Sequence, residues 1–216
     1  MTRTARYAHC VSIATPRAAT PPAATLRDIT REAVSARIAA VAVDLFATRG
    51  FDQVTVEQIA AAVGISARSF HRYFASKEDA VIGDPARLGR VACAAFAARP
   101  AGEAVWTSLH RSFEAALAQT AADDEHGKRI MRVLNSTASL RARCLEKHLL
   151  WARLLTPLVA ARLDGEHVLL RAQTLVHASL ACFDVALAAW ADDNETASVG
   201  ELLGRSFAAF GPMTGQ

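Results

Sequence analysis

Between residues 30 and 80 the apolar positions recur at helical spacing. Val34, Ile38, Val41 and Leu45 form one stripe along a first helix, with Thr30 the expected cap at its start and Gly50 at its end. Thr55-Val56-Glu57-Gln58 is a capping-box pattern ahead of Ile59, Ala60 and Val63, a second helix that Gly64 breaks. Ser66 opens a third helix after a short turn, and Phe70 and Phe74 lie one turn apart on one side of it. Ser76-Lys77-Glu78-Asp79 caps a fourth, with acids in the first turn where the helix dipole favours them. Beyond residue 83 the pattern stays helical. It is interrupted at Pro85, at Pro100-Ala101-Gly102, along Asp123 to Gly127, at Asp164-Gly165 and along Asp192 to Glu195, which leaves about six helices. No strand-like alternation persists. The fold class is therefore all-α: a small three-helix unit over residues 29–83 joined to a larger helical bundle over residues 84–216.

Composition agrees. Hydrophobic residues make up 52 % and aromatics only 6 %, and the alanine-rich remainder favours helix because alanine loses no rotamer freedom there. Residues 1–28 scatter Arg3, Arg6, Arg17 and Arg27 among Ala, Thr and Pro, with no compact apolar core. They read as a disordered basic arm, not a secretory leader. No uninterrupted apolar run is long enough for a membrane span. Cys10, Cys93, Cys144 and Cys182 are scattered, which fits free thiols in a reducing cytoplasm. The formal charge of +3 is mild, so a nucleic-acid partner would need a local basic face.

Such a face is found at Thr55 to Phe74, which reads helix, tight glycine turn, helix. With residues 100° apart, Arg68, His71 and Arg72 share one arc of about 100°. Phe70 and Phe74 fall opposite, and Ser69 and Tyr73 flank the arc. One face thus carries hydrogen-bond donors and the other carries rings. This is what a helix needs to pack on its neighbour while entering a major groove about 12 Å wide. Arginine can fork to guanine O6 and N7 there. Ser66 and Thr55 sit at helix N-termini, where phosphate is favoured, Ala67 opens the reading helix, and Lys77 is placed to meet phosphate. The DNA-facing set is therefore Thr55, Ser66, Ala67, Arg68, Ser69, His71, Arg72, Tyr73 and Lys77.

These residues resemble the signature of the TetR family of regulators. Val63-Gly64-Ile65-Ser66-Ala67-Arg68-Ser69-Phe70-His71-Arg72-Tyr73-Phe74-Ala75-Ser76-Lys77-Glu78 carries the likeness, as does Leu45-Phe46-Ala47-Thr48-Arg49-Gly50-Phe51 running into Thr55-Val56-Glu57-Gln58-Ile59-Ala60. Arg68 stands where the family often has glycine or another basic residue, Ser69 replaces the usual threonine, and His71 the usual tyrosine. The resemblance implies a DNA-binding transcription regulator, by family default a repressor. It would bind a palindromic operator on double-stranded DNA as a homodimer and be released by a small-molecule effector. His71 would donate to a phosphate in that tyrosine's place.

The C-terminal half resembles one subgroup of the family through Arg129-Ile130-Met131-Arg132-Val133-Leu134, Leu140-Arg141-Ala142-Arg143, Glu146-Lys147, Trp151, Ala160-Ala161-Arg162-Leu163 and Trp190. That subgroup includes regulators near mycofactocin genes, and the likeness implies an acyl-CoA-like or large apolar effector. A ligand pocket between helices needs apolar walls with a few polar anchors. The candidates are Phe96, Trp106, Leu109, His110, Phe113, Met131, Leu134, Leu150 and Trp151, each equally readable as bundle core. The expected dimer face is Leu175, Leu180, Phe183, Leu187 and Trp190 with Leu202, Leu203, Phe207 and Phe210, again readable as core. No G-x-S-x-G elbow, P-loop or G-x-G-x-x-G occurs, so no enzyme or cofactor is implied. Cys144 and His148 share an i, i+4 face, but two residues do not make a metal site. An enzyme with an inert helix-turn-helix is the main rival class, followed by a ligand-independent DNA-binding protein and a ligand carrier with an inert reader.

Overall fold

The computed structural model describes residues 25–119, 124–192 and 194–210. The described residues form ten α-helices and no strand. Helix α1 runs over Leu26–Arg49. It starts four residues before the expected cap, because Thr25 and Asp28 form a capping box. The Asp28 N–H donates to Thr25 Oγ1 at 3.3 Å, and the Thr25 N–H donates to the Asp28 carboxylate at 3.1 Å. Thr30 lies inside the helix instead, its hydroxyl donating to the Leu26 carbonyl at 2.8 Å. Residues 25–28, expected in the basic arm, form the cap and first turn of α1 instead. Residues 1–24, Cys10 among them, lie outside the described residues.

A single 3-10 turn at Phe51–Gln53 leads to α2 (Val56–Val63), α3 (Ala67–Phe70) and α4 (Lys77–Ile82). Ile38, Ala42 and Phe46 of α1 bury against Phe51, Val54, Ile59, Ala60 and Phe70. Three residues from far along the chain complete this core: Val133 and Leu134 of α7 (Asp124–Ser136), and Leu140 of α8 (Ala138–Ala160). The N-terminal unit does not close on itself; the bundle supplies part of its interior.

The bundle adds α5 (Arg87–Ala97), α6 (Val105–Ala118), α9 (Val168–Trp190) and α10 (Val199–Ala208) to α7 and α8. The stretch from Gly127 to Asp164, in which the sequence pattern marks no joint, is two helices. Thr137 ends the first and caps the second, its hydroxyl accepting from the Leu140 N–H at 3.3 Å. Gly127, expected in a joint, lies within the start of α7. A Cβ there would stand 2.6 Å from the Trp190 ring, so the residue permits close approach instead of breaking the helix. Helix α9 has the length and mean hydropathy, 1.3, of a membrane-crossing helix, although no uninterrupted apolar run marks it in the sequence. Ala172, Val176, Leu180, Phe183 and Ala186 bury one side of it in the bundle core, so it is packed as a core helix.

At one end of the bundle, Arg162 ties α8 to the α5–α6 connection. Its guanidinium donates to Ser108 Oγ at 3.0 Å and to the Pro100 carbonyl at 2.9 Å, and it lies 5.0 Å over the Phe96 ring. Beside it, hydrogen bonds from Arg99 and then Ser108 push the Glu103 carboxyl down to about 2 from 4.5. A folded-state pKa below the unfolded one stabilises the fold above the unfolded value, and that contribution is lost as pH falls. Thermal melts of the unaltered protein should therefore lose stability between pH 4.5 and about 2. Glu103→Gln should remove part of that slope, and an unchanged slope would show that this carboxylate is not linked to folding.

Candidate nucleic-acid interface

The turn between α2 and α3 depends on one left-handed residue. Gly64 has φ 82° and ψ 30°. The Gly64 N–H donates to Ala61 O at 3.1 Å and the Ile65 N–H to Ala60 O at 2.9 Å, the Schellman closure that glycine allows without a Cβ penalty. Thr55 and Gln58 cap α2 reciprocally. Ser66 caps α3, accepting from the Ser69 N–H at 3.1 Å, and the two hydroxyls lie 3.0 Å apart.

Regular α-helix covers only Ala67–Phe70, shorter than the sequence pattern suggests. The chain nevertheless keeps turning in the same sense: the Arg72 N–H donates to Ser69 O and the Tyr73 N–H to Phe70 O, both i→i−3 bonds, and the Phe74 N–H donates to Phe70 O. Phe70 is fully buried, with its ring centroid 5.7 Å from that of Phe74. Arg68, His71 and Arg72 are exposed, and Ala67, Ser69 and Tyr73 are half-buried. The fully buried ring anchors the segment while two guanidiniums and an imidazole project outward.

Lys77 is a correction. Its ammonium donates to the Phe51 carbonyl at 2.8 Å and to the Val54 carbonyl at 3.0 Å, and it stands 4.3 Å over the Phe51 ring. Two of its three protons bind the first core to α4, so it acts as an internal clamp and not as a free phosphate ligand.

Two cations were missed. Arg27 and Arg31 of α1 share a notch of about 550 Å³ with Arg72 and Tyr73. The Arg31 guanidinium donates to the Arg72 carbonyl at 3.2 Å and lies 5.8 Å over the Tyr73 ring. Their i, i+4 spacing on the first helix was visible in the sequence. Nothing in the sequence placed that face against the reading segment.

The expected effector residues divide. Phe96, Trp106, Phe113 and Trp151 are buried at 8 % exposure or less; Phe96 lies under the Arg162 guanidinium, and the other three pack on other rings. Trp106 lies 4.8 Å from Phe207, Phe113 lies 5.0 Å from Phe183, and Trp151 lies 5.7 Å from Phe183. The Trp106 indole N–H donates to Phe207 O at 3.1 Å. His110 stacks on Phe207 at 4.8 Å, and burial pushes its pKa down. The four large rings are closed core, and His110 is half-buried at its edge. Met131 and Leu134 instead line a cleft of about 240 Å³ between α7, α8 and α9. The expected dimer residues Leu180, Phe183, Trp190, Leu202, Leu203 and Phe207 are likewise core, because α9 packs on α8 and α10 and spends those faces within the chain. Cys144 and His148 line the same cleft. Among the described residues no three His, Cys, Asp or Glu side chains are grouped to hold a metal ion.

Residues 38–81 match the family model for bacterial regulatory proteins of the tetR family, and residues 103–214 match the MftR C-terminal domain. A Mycobacterium tuberculosis protein named as mycofactocin biosynthesis transcriptional regulator MftR is 32 % identical over 179 residues, 81 % of this chain and 87 % of that one. The chain belongs to the TetR family. TcmR, an HTH-type transcriptional regulator of Streptomyces glaucescens, is 32 % identical over 127 residues, 56 % of either chain. The crystal structure of Thermus thermophilus FadR, described as a TetR family repressor in complex with lauroyl-CoA, superposes with a TM-score of 0.50 at 21 % identity, covering 81 % of this chain and 91 % of that one. Membership makes the protein a transcriptional regulator, with the N-terminal helix-turn-helix and C-terminal helical domain of the TetR family.

Proposed function

We propose that this TetR-family protein is a cytoplasmic, non-enzymatic repressor. It binds a palindromic operator as a homodimer and is released by a small apolar or acyl-bearing effector. Its reader spans residues 25–83 and its sensing and dimerisation domain starts at residue 84. The observation that carries the reading is the outward set Arg68, His71 and Arg72 on a segment anchored by buried Phe70. Such a face suits base edges and phosphates in a major groove.

Dimerisation uses α8 and α9 by their exposed faces. Leu145 and Leu149 on α8, and Leu169, Leu170 and Val185 on α9, are large apolar residues each about half exposed or more. Paired readers need a spacing of about 34–36 Å. Effector coupling runs through α7 and α8, which place Val133, Leu134 and Leu140 in the reader's core. Ion pairs reinforce it: Arg129 to Asp44 at 2.7 Å, and Arg143 to Asp79 of α4 at 3.7 Å. A shift of α7 or α8 therefore moves the reader. Couplings of this kind are typically worth about 1–3 kcal/mol. The lauroyl-CoA complex of FadR supports an acyl-type effector.

The test is a fluorescence-anisotropy titration on the gene's own upstream DNA, with and without acyl-CoA. Salt-dependent binding by a dimer that acyl-CoA releases is the expected result. Binding no tighter than to random DNA, across genome-selected fragments as well, would overturn the operator reading. Arg31→Ala should weaken binding to all sequences alike and lower the salt slope by about 1, the signature of a lost phosphate contact. A sequence-dependent loss would instead assign Arg31 to base readout through Arg72.

A further inference from the structure

Glu57 is an acid set among residues of the DNA-facing set. It is exposed in the first turn of α2. Its carboxylate lies against its own backbone N–H and then the Thr55 hydroxyl, and these bonds hold its carboxyl below the ordinary carboxylate range. It also lies close enough to His71 for the imidazole to act on its charge. The other polar atoms of Thr55 serve the helix: its N–H donates to Gln58 Oε1 at 3.0 Å, and its Oγ1 accepts from the Gln58 N–H at 3.3 Å. His71 follows α3 directly and is exposed, its ring edge-on to Phe70 with centroids 5.6 Å apart. One carboxylate thus acts on α2 and on the end of α3 together.

A carboxylate and a phosphate compete for the same partners. Both are anionic acceptors, and each suits hydroxyl, imidazole and backbone N–H donors. A carboxylate already in place also repels a phosphate brought beside it. At about 5 Å in water, two like charges lower affinity by a factor of about four, and by more where protein displaces water. Arg68 and Arg72 are exposed on the same segment as His71 and attract DNA; Glu57 opposes them.

We propose that Glu57 stands in for a DNA phosphate in the free reader. It occupies the Thr55 hydroxyl and faces His71 until DNA displaces it, and so weakens contact with every sequence alike. Phosphate contacts carry no sequence information, so an acid at this place leaves the choice of site to Arg68 and Arg72. The inference rests on the operator-binding reading above and names a residue that sets its balance.

The test is Glu57→Gln in the full chain, titrated by fluorescence anisotropy on the gene's own upstream DNA and on a random duplex of equal length. Glutamine keeps the side-chain length and an acceptor for the backbone N–H, so the melting temperature should be unchanged. Both affinities should rise about fourfold per reader, with their ratio kept, and the gain should fade at high salt, where the lost repulsion is screened. Glu166→Gln makes the same change in net charge. It lies in the connection after α8, at the end of that helix opposite the Leu140 that enters the reader's core, and it should alter neither affinity. The gain from Glu57→Gln should shrink in a His71→Phe background. No gain on random DNA, or an equal gain from Glu166→Gln, would overturn the proposal. So would a loss confined to the upstream DNA, which would make Glu57 a base reader accepting from a cytosine amine. A full gain in the His71→Phe background would overturn the competition for His71. The random duplex separates this proposal from the operator reading: a gain there without any preference for upstream or genome-selected DNA keeps the role of Glu57 and removes the operator.

Discussion

An Arg68→Ala, Arg72→Ala double variant is expected to bind its operator about a thousandfold more weakly while melting at the unaltered temperature. Each arginine that forks to a guanine is worth about 2 kcal/mol of discrimination, and two additive losses of that size give about three decades. Both side chains are exposed. What Arg72 gives the fold is its backbone carbonyl, which Arg31 uses, and alanine keeps that group. Affinity for random DNA should fall far less, because backbone contacts elsewhere remain. The decisive quantity is the ratio of operator to random-DNA affinity. If that ratio survives the double change, the exposed arginines do not read bases, and the reading face lies elsewhere.

Leu140→Ala should have the largest effect on stability and should also cost DNA binding, although residue 140 lies far along the chain from the reading segment. Leu140 is fully buried in the core built around Phe46, Ile59 and Phe70. Truncating a buried leucine costs about 2–5 kcal/mol. For a chain of this size about 3 kcal/mol lowers the melting temperature by roughly 10 °C. Leu155→Ala is the control: it too is fully buried, but in the bundle core. The two variants should be similarly destabilised. At a temperature where both stay folded, only Leu140→Ala should weaken operator binding. Equal operator affinity in the two would mean that the first core does not depend on α8.

The reader was legible because its chemistry is local. Capping boxes at Thr55 and Ser76, a left-handed glycine at 64 and rings four apart at 70 and 74 are short-range patterns, and the structure has each of them. The early start of α1 was legible too, in Thr25-Leu26-Arg27-Asp28, but weight given to the Ala, Thr and Pro around it hid the cap. The bundle was legible as helices and not as surfaces. Periodicity finds the apolar stripe on α9 but cannot say whether α8, α10 or a second chain covers it; the structure assigns Leu180 and Phe183 to the interior and leaves Val185 outside. Lys77 failed for a similar reason. A cation just past a reading helix looks free until the two carbonyls of Phe51 and Val54 are brought to it.

Met131 packs against both cores, and its neighbours on α7 fill the reader's interior. The seam between reader and bundle is therefore side chain on side chain, not a flexible tether. Heating should not release a folded reader from a molten bundle, or the reverse. The two halves share one cooperative transition, with calorimetric and van't Hoff enthalpies in agreement. A reader cut free at Gly83 would lose Val133, Leu134 and Leu140 from its interior, and would be left as a collapsed, loosely ordered fragment rather than a portable DNA-binding module.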